Sequence, residues 1–559
     1  MSQDLSDDAI ILIRKLSLQN AVKHDGKASP GAVVGGLLGD FPELKKEMKK
    51  VMGVIQEAIK EVNSKTLEEQ KQELLELDPS AFDKREHKVD LFGFLKIKDG
   101  EKVRTAFPPS PEKHPHIGHS KPLFLNHMLA RKYGGEFILR FEDTNPDLVK
   151  EEFYGIMIED FKWLGVEWDK VVYASDHMSL YYEKGGELIQ KGLVYICTCP
   201  PERIKLSREK GIPCECRSKT INANMDLWNN MKNMFPGEAI ARLKIDLKHK
   251  NSTMRDPTVF RVIDKPHARH GSKYKIWPTY DLQNSVLDGF LGITHRLRSK
   301  EFEMRNELQR YIQKTLGYAE TSIYEFARFN LEGVDTSGRR IREKINSGDL
   351  LGWDDPSLAT IAALRRRGFQ PEAIKEFVVK TGITKSESTL TWDDLIVHNK
   401  RFLDEHANRY FFVADPVKIK VKGAPVKKFE LSLHPSHRKH GRKFVTGEDF
   451  FISKKDFDSL KKGVYRFMEC FNVEFDGKEF IYVDDSLDTY KKSGKGMLHY
   501  LPVNMDLVEA SIMMPDKSVV KGVAEPLVNK LDEGVVVQFE RFGFARLDDK
   551  KRLSFWFTH

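Results

Sequence analysis

The sequence predicts a multidomain α/β + β chain: a parallel-sheet core carrying an insertion, a helical middle, a β-rich tail and a helical N-terminal appendage. Three observations predict it. An extended segment from Lys102, a proline-rich loop, an apolar helical stretch and a second strand follow one another within about forty residues, which is a βαβ unit. From Gly352 the pattern turns helical, and beyond Phe411 it alternates with period two. At 559 residues the chain is also too long for a single core.

Taken in order, residues 1–95 read as helical. Ile11, Leu12, Ile13, Leu16 and Leu18 form an apolar stripe, and Pro42 to Leu77 is charged and amphipathic. A Rossmann-like core is expected in two halves, 96–196 and 267–345, around an insertion at 197–266. In the first half, Val149 to Leu164 predicts a helix with Phe153, Met157 and Phe161 turned inward and Glu159-Asp160 solvated. In the second, Leu282 to Phe290 is an apolar helix and Ile293 to Arg298 a strand. Residues 346–410 are helical: Asp354-Asp355-Pro356 offers a cap and a first-turn proline, and Gly368 and Gly382 offer stops. In 411–559, Val417, Ile419 and Val421 alternate with lysines. Val473 to Tyr482 reads as a hairpin with a primed turn at Asp476-Gly477.

Composition narrows the function classes. No apolar run reaches the ~18 residues of a spanning helix, and the start at Met1-Ser-Gln-Asp-Leu is polar, so a cytoplasmic protein without a membrane partner is expected. The net charge of +8, 91 basic against 83 acidic residues, permits a polyanionic partner without requiring one. Five cysteines, four of them between Cys197 and Cys216, argue against a disulfide framework. Cys197-x-Cys199 and Cys214-x-Cys216 instead supply four thiolates, the donor set of a structural Zn²⁺; four reduced thiols in a compact loop are the alternative. Cys470 reads as core in an apolar strand.

The chemistry concentrates at His116-Ile117-Gly118-His119, which opens the helix of the βαβ unit. A helix starting at the carboxyl edge of a parallel sheet offers unpaired N–H groups to an anion. Two imidazoles three residues apart share its first turn, and Gly118 leaves room for a flat base. With Phe107-Pro-Pro-Ser-Pro before it and Arg140-Phe-Glu-Asp-Thr-Asn145 after it, this text resembles the class I aminoacyl-tRNA synthetases of the glutamyl/glutaminyl branch. The β-rich tail resembles the paired barrels of the archaeal and eukaryotic type. The resemblance implies an acceptor-end insertion, an anticodon-binding tail, ATP and Mg²⁺, an amino-acid substrate and tRNA. It assigns His116 and His119 to transition-state stabilisation, with Pro109, Gly118, Ser337 and Arg339 also on ATP. It assigns Glu142 to the substrate amine, and Tyr280 and Asn284, four apart on a helix, to the amino acid.

Arg298 carries the specificity in this reading. Glutaminyl relatives resemble Ser-Leu-Cys after the shared Gly-Ile-Thr-His, whereas this chain reads Arg296-Leu297-Arg298. A guanidinium fork matches a γ-carboxylate, and glutamine there would leave a buried cation unpaired. Glutamate and tRNA(Glu) are therefore the expected substrates of a monomer; charging of tRNA(Gln), a glutaminyl enzyme and a catalytically impaired RNA-binding relative are the alternatives. Arg296 is expected one strand face away, toward solvent or tRNA. Two departures stand out. Ala106 replaces the arginine usual before Phe-Pro-Pro, with Arg104 nearby. Thr336-Ser-Gly-Arg-Arg340 replaces a loop resembling Met-Ser-Lys-Arg, so Arg339 or Arg340 is expected to act for the lysine missing at Gly338.

Overall fold

The computed structural model describes residues 5–24, 26–78, 90–98 and 100–559. The chain divides into two compact units, Met1–Asp90 and Leu91–His559. In the first, α1 (Asp7–Lys23), α2 (Pro30–Asp40), α3 (Met48–Asn63) and α4 (Leu67–Leu77) bury one core that includes Ile13, Leu18, Val51, Ile55 and Leu74. The long amphipathic run breaks because Thr66 and Glu69 form a capping box that starts α4. Ile11 of the predicted stripe lies exposed. The part of the expected appendage at 79–89 lies outside the described residues.

The second unit opens on the predicted βαβ unit: β1 (Arg104–Phe107), α5 (Ile117–Lys132), β2 (Glu136–Phe141), then α6 (Glu151–Trp163) and β3 (Lys170–Tyr173). The three strands are parallel. After α7 (Met178–Gln190) an antiparallel sheet interrupts the rhythm: β4 (Val194–Cys197), β5 (Ile240–Leu243), β6 (Thr258–Val262) and β7 (Ile276–Pro278), with α8 (Pro201–Lys210) and α9 (Ile221–Asn230) between β4 and β5. The parallel strands then resume with α10 (Tyr280–Leu291), β8 (His295–Ser299), α11 (Asn306–Thr315) and β9 (Ser322–Phe326). The Thr294 N–H donates to the Arg104 carbonyl at 2.9 Å, setting β8 beside β1. The order β3-β2-β1-β8-β9 reverses between β1 and β8, where ligands of doubly wound sheets bind at the carboxyl ends.

Alternation along the strands covers both faces. Phe107, Phe137, Leu139 and Phe141 pack with α5, α6 and the helices that follow the core. Ala106, Ile138 and Val172 pack with α7, α10 and α11. Asp160 departs from expectation: it is buried, 3.5 Å from Arg365, and burial pushes its carboxyl up to about 6. Packing of the helical middle onto α6 turns that solvated face into an interior one.

Beyond the core come β10 (Phe329–Leu331), α12 (Gly338–Asn346), α13 (Ile361–Arg367), α14 (Pro371–Lys380), β11 (Ser388–Leu390) and α15 (Trp392–His406). Gly368 ends α13 in the left-handed region (φ +92°), as expected. The helix starts later than the aspartates suggested, at Thr360, whose hydroxyl accepts from Ala363 N–H. Asp355 instead closes a loop, accepting from Leu351 and Ser357 N–H. The tail forms two seven-stranded sheets and a two-stranded one, Lys428–His434 with Arg438–Val445. Asn472–Phe475 and Phe480–Asp484 pair as the predicted hairpin, but residues 476–479 make a four-residue turn. Asp476 accepts from Lys478 and Glu479 N–H there, which stabilises the longer loop. Cys470 lies half-buried in a turn rather than in a strand. No described helix is long and apolar enough to cross a membrane.

Candidate active site at the switch point

A cavity of about 710 Å³ opens at the carboxyl ends of β1, β2 and β8. It is cationic: Lys113, Lys121, Arg261, Arg296, Arg298 and Arg328 line it against only three carboxylates, Glu112, Glu142 and Glu301. A pocket with that imbalance suits a polyanion.

His116 and His119 sit side by side at the start of α5, ring centroids 4.1 Å apart. His116 is the N-cap, and its Nδ1 accepts the Gly118 N–H at 3.1 Å. The His119 Nδ1 accepts the His116 N–H at 3.1 Å. Both Nδ1 atoms are therefore acceptors, which in a neutral imidazole puts the proton on Nε2. Burial, then the neighbouring charge of Lys113, pushes His119 down to about 3. Burial, then His119 and Lys113, pushes His116 well below its ordinary value. The pair is thus two neutral N–H donors. A Cβ at residue 118 would lie 2.8 Å from His116 Cε1, so Gly118 is required first by the His116 ring folding over it.

Glu142 ends β2. Its N–H donates to the Pro109 carbonyl at 2.9 Å, and its Oε1 accepts from Arg140 at 2.8 Å. Its Oε2 is buried with no hydrogen-bond partner among the described residues. Burial raises the carboxyl, opposed by Arg140 and Arg296. Asp143, beside it, holds the turn by accepting from Tyr154 and Ser175.

Tyr280 and Arg298 line the cavity; Asn284 does not. Asn284 is buried one helical turn behind Tyr280, where its Oδ1 accepts from Arg140 at 2.8 Å and from Arg296, and its Nδ2 donates to Gln309. Asp288, one turn further, accepts from Arg140 at 2.6 Å and from Arg296 and Gln309 at 2.7 Å. Asp288 is the organising anion of this layer. Its spacing is legible in sequence, since 280, 284 and 288 share one helix face.

Arg296 corrects the expectation of a solvated side chain: it is buried and lines the cavity. Residues two apart on a strand share a face, so Arg296 and Arg298 point the same way. They differ in what they meet. Asp288 and Asn284 occupy Arg296, whereas Arg298 donates from Nη2 to Asn306, and its buried Nε and Nη1 have no hydrogen-bond partner among the described residues. Arg298 therefore keeps a free guanidinium edge. Arg104 does not replace the arginine lost at Ala106: it lies at the amino end of β1 and binds Glu136 and the Leu291 carbonyl.

The 336–340 loop reaches the cavity only through Thr336. Ser337 caps α12. Arg339 is exposed and pairs with Glu343 at 2.9 Å, and Arg340 pairs with Asp335 at 3.1 Å, so neither faces the histidines here. Among the cavity cations, Arg261 and Arg328 escape a reading of the sequence, and so do Lys113 and Lys121. The only signal for the two lysines there is proximity to the histidine motif.

Outside the cavity, Cys197, Cys199, Cys214 and Cys216 place their four sulfurs within 4.8 Å of one another. Two of the S···S distances are 3.9 Å, far beyond a disulfide bond and close to the edge, about 3.8 Å, of a tetrahedron with 2.3 Å Zn–S bonds. Burial raises Cys197 and Cys199, whereas at Cys216 burial is outweighed by hydrogen bonds with Thr198, which bring it down to about 7; holding all four as thiolates still calls for a cation.

Comparison with known proteins agrees with this geometry. Residues 102–405 match the catalytic domain of tRNA synthetases class I (E and Q). Residues 407–486 and 496–548 match the anti-codon binding domains of the same family. The Glutamate--tRNA ligase of Pyrococcus abyssi is 41% identical over 551 residues, 96% of each chain. That of Methanothermobacter thermautotrophicus is 38% identical over 552 residues, 98% of this chain and 99% of its own. That of Methanocaldococcus jannaschii is 38% identical, covering 97% and 98%. The chain belongs to the glutamyl/glutaminyl branch of the class I aminoacyl-tRNA synthetases.

Proposed function

We propose that the chain is a glutamate–tRNA ligase, activating glutamate with ATP and passing it to the 3′ end of tRNA(Glu). The observation that carries the choice of amino acid is Arg298, a buried guanidinium on the cavity wall whose Nε and Nη1 have no hydrogen-bond partner among the described residues. Across the same cavity Glu142 keeps one oxygen free for an ammonium. An amino acid with a carboxylate side chain satisfies both; glutamine would leave Arg298 as an uncompensated buried cation, costing roughly 3–5 kcal/mol.

In activation, an oxygen of the glutamate α-carboxylate bonds to the α-phosphorus, the bond to the bridging oxygen breaks, and its electron pair leaves with diphosphate. His116 and His119 donate from Nε2 to the phosphate oxygens on which charge develops, aided by the N-terminus of α5. Their lowered pKa values keep them neutral donors throughout the neutral range. Pro109 and Gly118 border the nucleotide, and Tyr280 the substrate side chain. Asn284 acts from behind, holding Arg140 and Arg296 so that Glu142 stays aligned. Mg²⁺, when bound with ATP, neutralises triphosphate charge. The terminal ribose hydroxyl of tRNA then attacks the activated carbonyl and AMP leaves.

The same reading assigns 96–196 and 267–345 to the catalytic halves, 197–266 to an acceptor-end insertion folded around one Zn²⁺ on the four cysteines, 346–410 to a helical connection and 411–559 to anticodon binding. The enzyme acts as a cytoplasmic monomer. The test is aminoacylation of separated tRNA(Glu) and tRNA(Gln) with labelled glutamate and glutamine. Glutamate should appear on tRNA(Glu), and glutamine on neither. Efficient glutamine transfer would overturn the assignment.

A further inference from the structure

The loop that should bring a lysine to the triphosphate has Gly338 instead, and its two arginines are engaged elsewhere, Arg339 with Glu343 and Arg340 with Asp335. The glycine is not an empty position. A Cβ built on Gly338 would lie 2.8 Å from Lys113 Cδ and 3.2 Å from Lys113 Cβ. The stem of Lys113 therefore lies across the Gly338 backbone, in the space that a side chain there would need. The Lys113 ammonium donates to the Thr336 carbonyl at 3.1 Å.

Lys113 comes from the loop that carries Pro109, Pro111 and Pro115, three residues before His116, and it lines the same cavity. Its charge reaches both histidines, which it helps to keep neutral. No carboxylate pairs with it within 4 Å among the described residues. An ammonium has three donors, so the bond to Thr336 leaves two. The other cations of that end are less available: Lys121 is buried, donating to the Ala327 carbonyl against the Phe326 ring, and Arg328 pairs with Glu301.

We propose that Lys113 is a catalytic residue of activation, supplying the ammonium that neutralises the departing diphosphate in place of a lysine on the 336–340 loop. Position 338 is glycine because Lys113 occupies its side-chain space. The proposal rests on the ligase reading above.

The test uses the full-length enzyme with ATP, glutamate and tRNA(Glu). Lys113→Met keeps the stem over Gly338 and removes the charge. It should lower kcat/KM for ATP by about 10²-fold, the scale of losing one transition-state donor, while KM for glutamate moves less than about twofold. Lys113→Arg should retain most activity, and Arg339→Ala should cost less than about threefold. Gly338→Lys alone should impair the enzyme by collision, yet added to Lys113→Ala it should restore at least about tenfold. A folded Lys113→Met enzyme with wild-type kinetics, or no recovery in the double variant, overturns the assignment of Lys113. If that happens while the wild type charges tRNA(Glu) and His116→Ala does not, the ligase reading survives. A wild type that charges no tRNA removes both.

Discussion

At Glu142 one carboxylate oxygen is buried with no partner among the described residues; in the function proposed above it takes the substrate amine, and its protonation would set the acid limb of the reaction. Burial holds its carboxyl above the ordinary range. As pH falls the carboxylate is lost, so KM for glutamate should rise, starting above the usual carboxylate pKa. Above pH 4.5 the folded state holds this proton more tightly than the unfolded chain does, so Glu142 by itself favours folding as pH drops. The rise in KM is thus a binding effect, and Glu142→Gln should raise KM and flatten the profile; an unchanged profile in that variant would exclude Glu142. Arg298 gives a second residue-scale prediction. Arg298→Cys leaves the γ-carboxylate without its partner and should cut kcat/KM for glutamate by roughly 10²-fold, while glutamine loses little. A ratio of the two efficiencies that does not move would place the γ-carboxylate elsewhere. That both residues line the cavity was legible from the strings that hold them, Glu142 within Arg140–Asn145 and Arg298 closing the stretch after Gly-Ile-Thr-His. The Arg140–Asp288–Arg296 layer was not, because which buried charge meets which depends on helix α10 packing across β2 and β8. Strand periodicity alone would have put Arg296 beside Arg298.

Elements end where local chemistry ends them, and the misjudged boundaries have local causes. Gly368 was readable as a stop; Asp354-Asp355 reads equally well as a cap but braces a loop, because Thr360 is the residue that reaches an N–H of α13. Gly368 also carries a packing demand invisible in sequence. A Cβ there would lie 2.8 Å from Thr558 Oγ1 and 2.9 Å from Val536 Cγ2, in the seam between the helical middle and the tail. Gly368→Ala combines a left-handed φ with overpacking and should destabilise the protein by about 2 kcal/mol. Urea unfolding is the measurement, and an unchanged midpoint would show that the seam yields. The cysteine loop carries the other expectation at this scale. Protein purified without added metal should hold about one Zn²⁺ per chain. Cys214→Ser should lose the metal and expose the 197–216 segment to protease. Metal-free protein with that segment still protected would contradict it.

Across the whole molecule the tail is fastened to the helical middle rather than tethered to it. Arg366 bridges Asp354 and Asp548 and lies 4.0 Å from the Trp556 ring, and the buried Arg367 donates to the Thr558 carbonyl. In the function proposed above, this fastening would keep a tRNA gripped by the tail in register with the catalytic part of this unit. The tail's basic stretch from His434 to Lys443 divides into two roles. His434 and Arg442 are buried, and Arg442 pairs with Glu525 and Glu540. Lys439 and Lys443 are exposed on the strand Arg438–Val445 and form no ion pair among the described residues. Those two lysines are free for phosphate; Arg442 is structural. Lys439→Glu with Lys443→Glu should weaken tRNA(Glu) binding by roughly tenfold at low salt. It should also reduce the slope of log affinity against log salt by about 1 for each phosphate that is no longer neutralised. KM for ATP and for glutamate should stay unchanged, because the catalytic cavity is built from other elements. Filter binding across a salt series separates the outcomes: if affinity and slope both match the wild type, tRNA runs along another face of the tail.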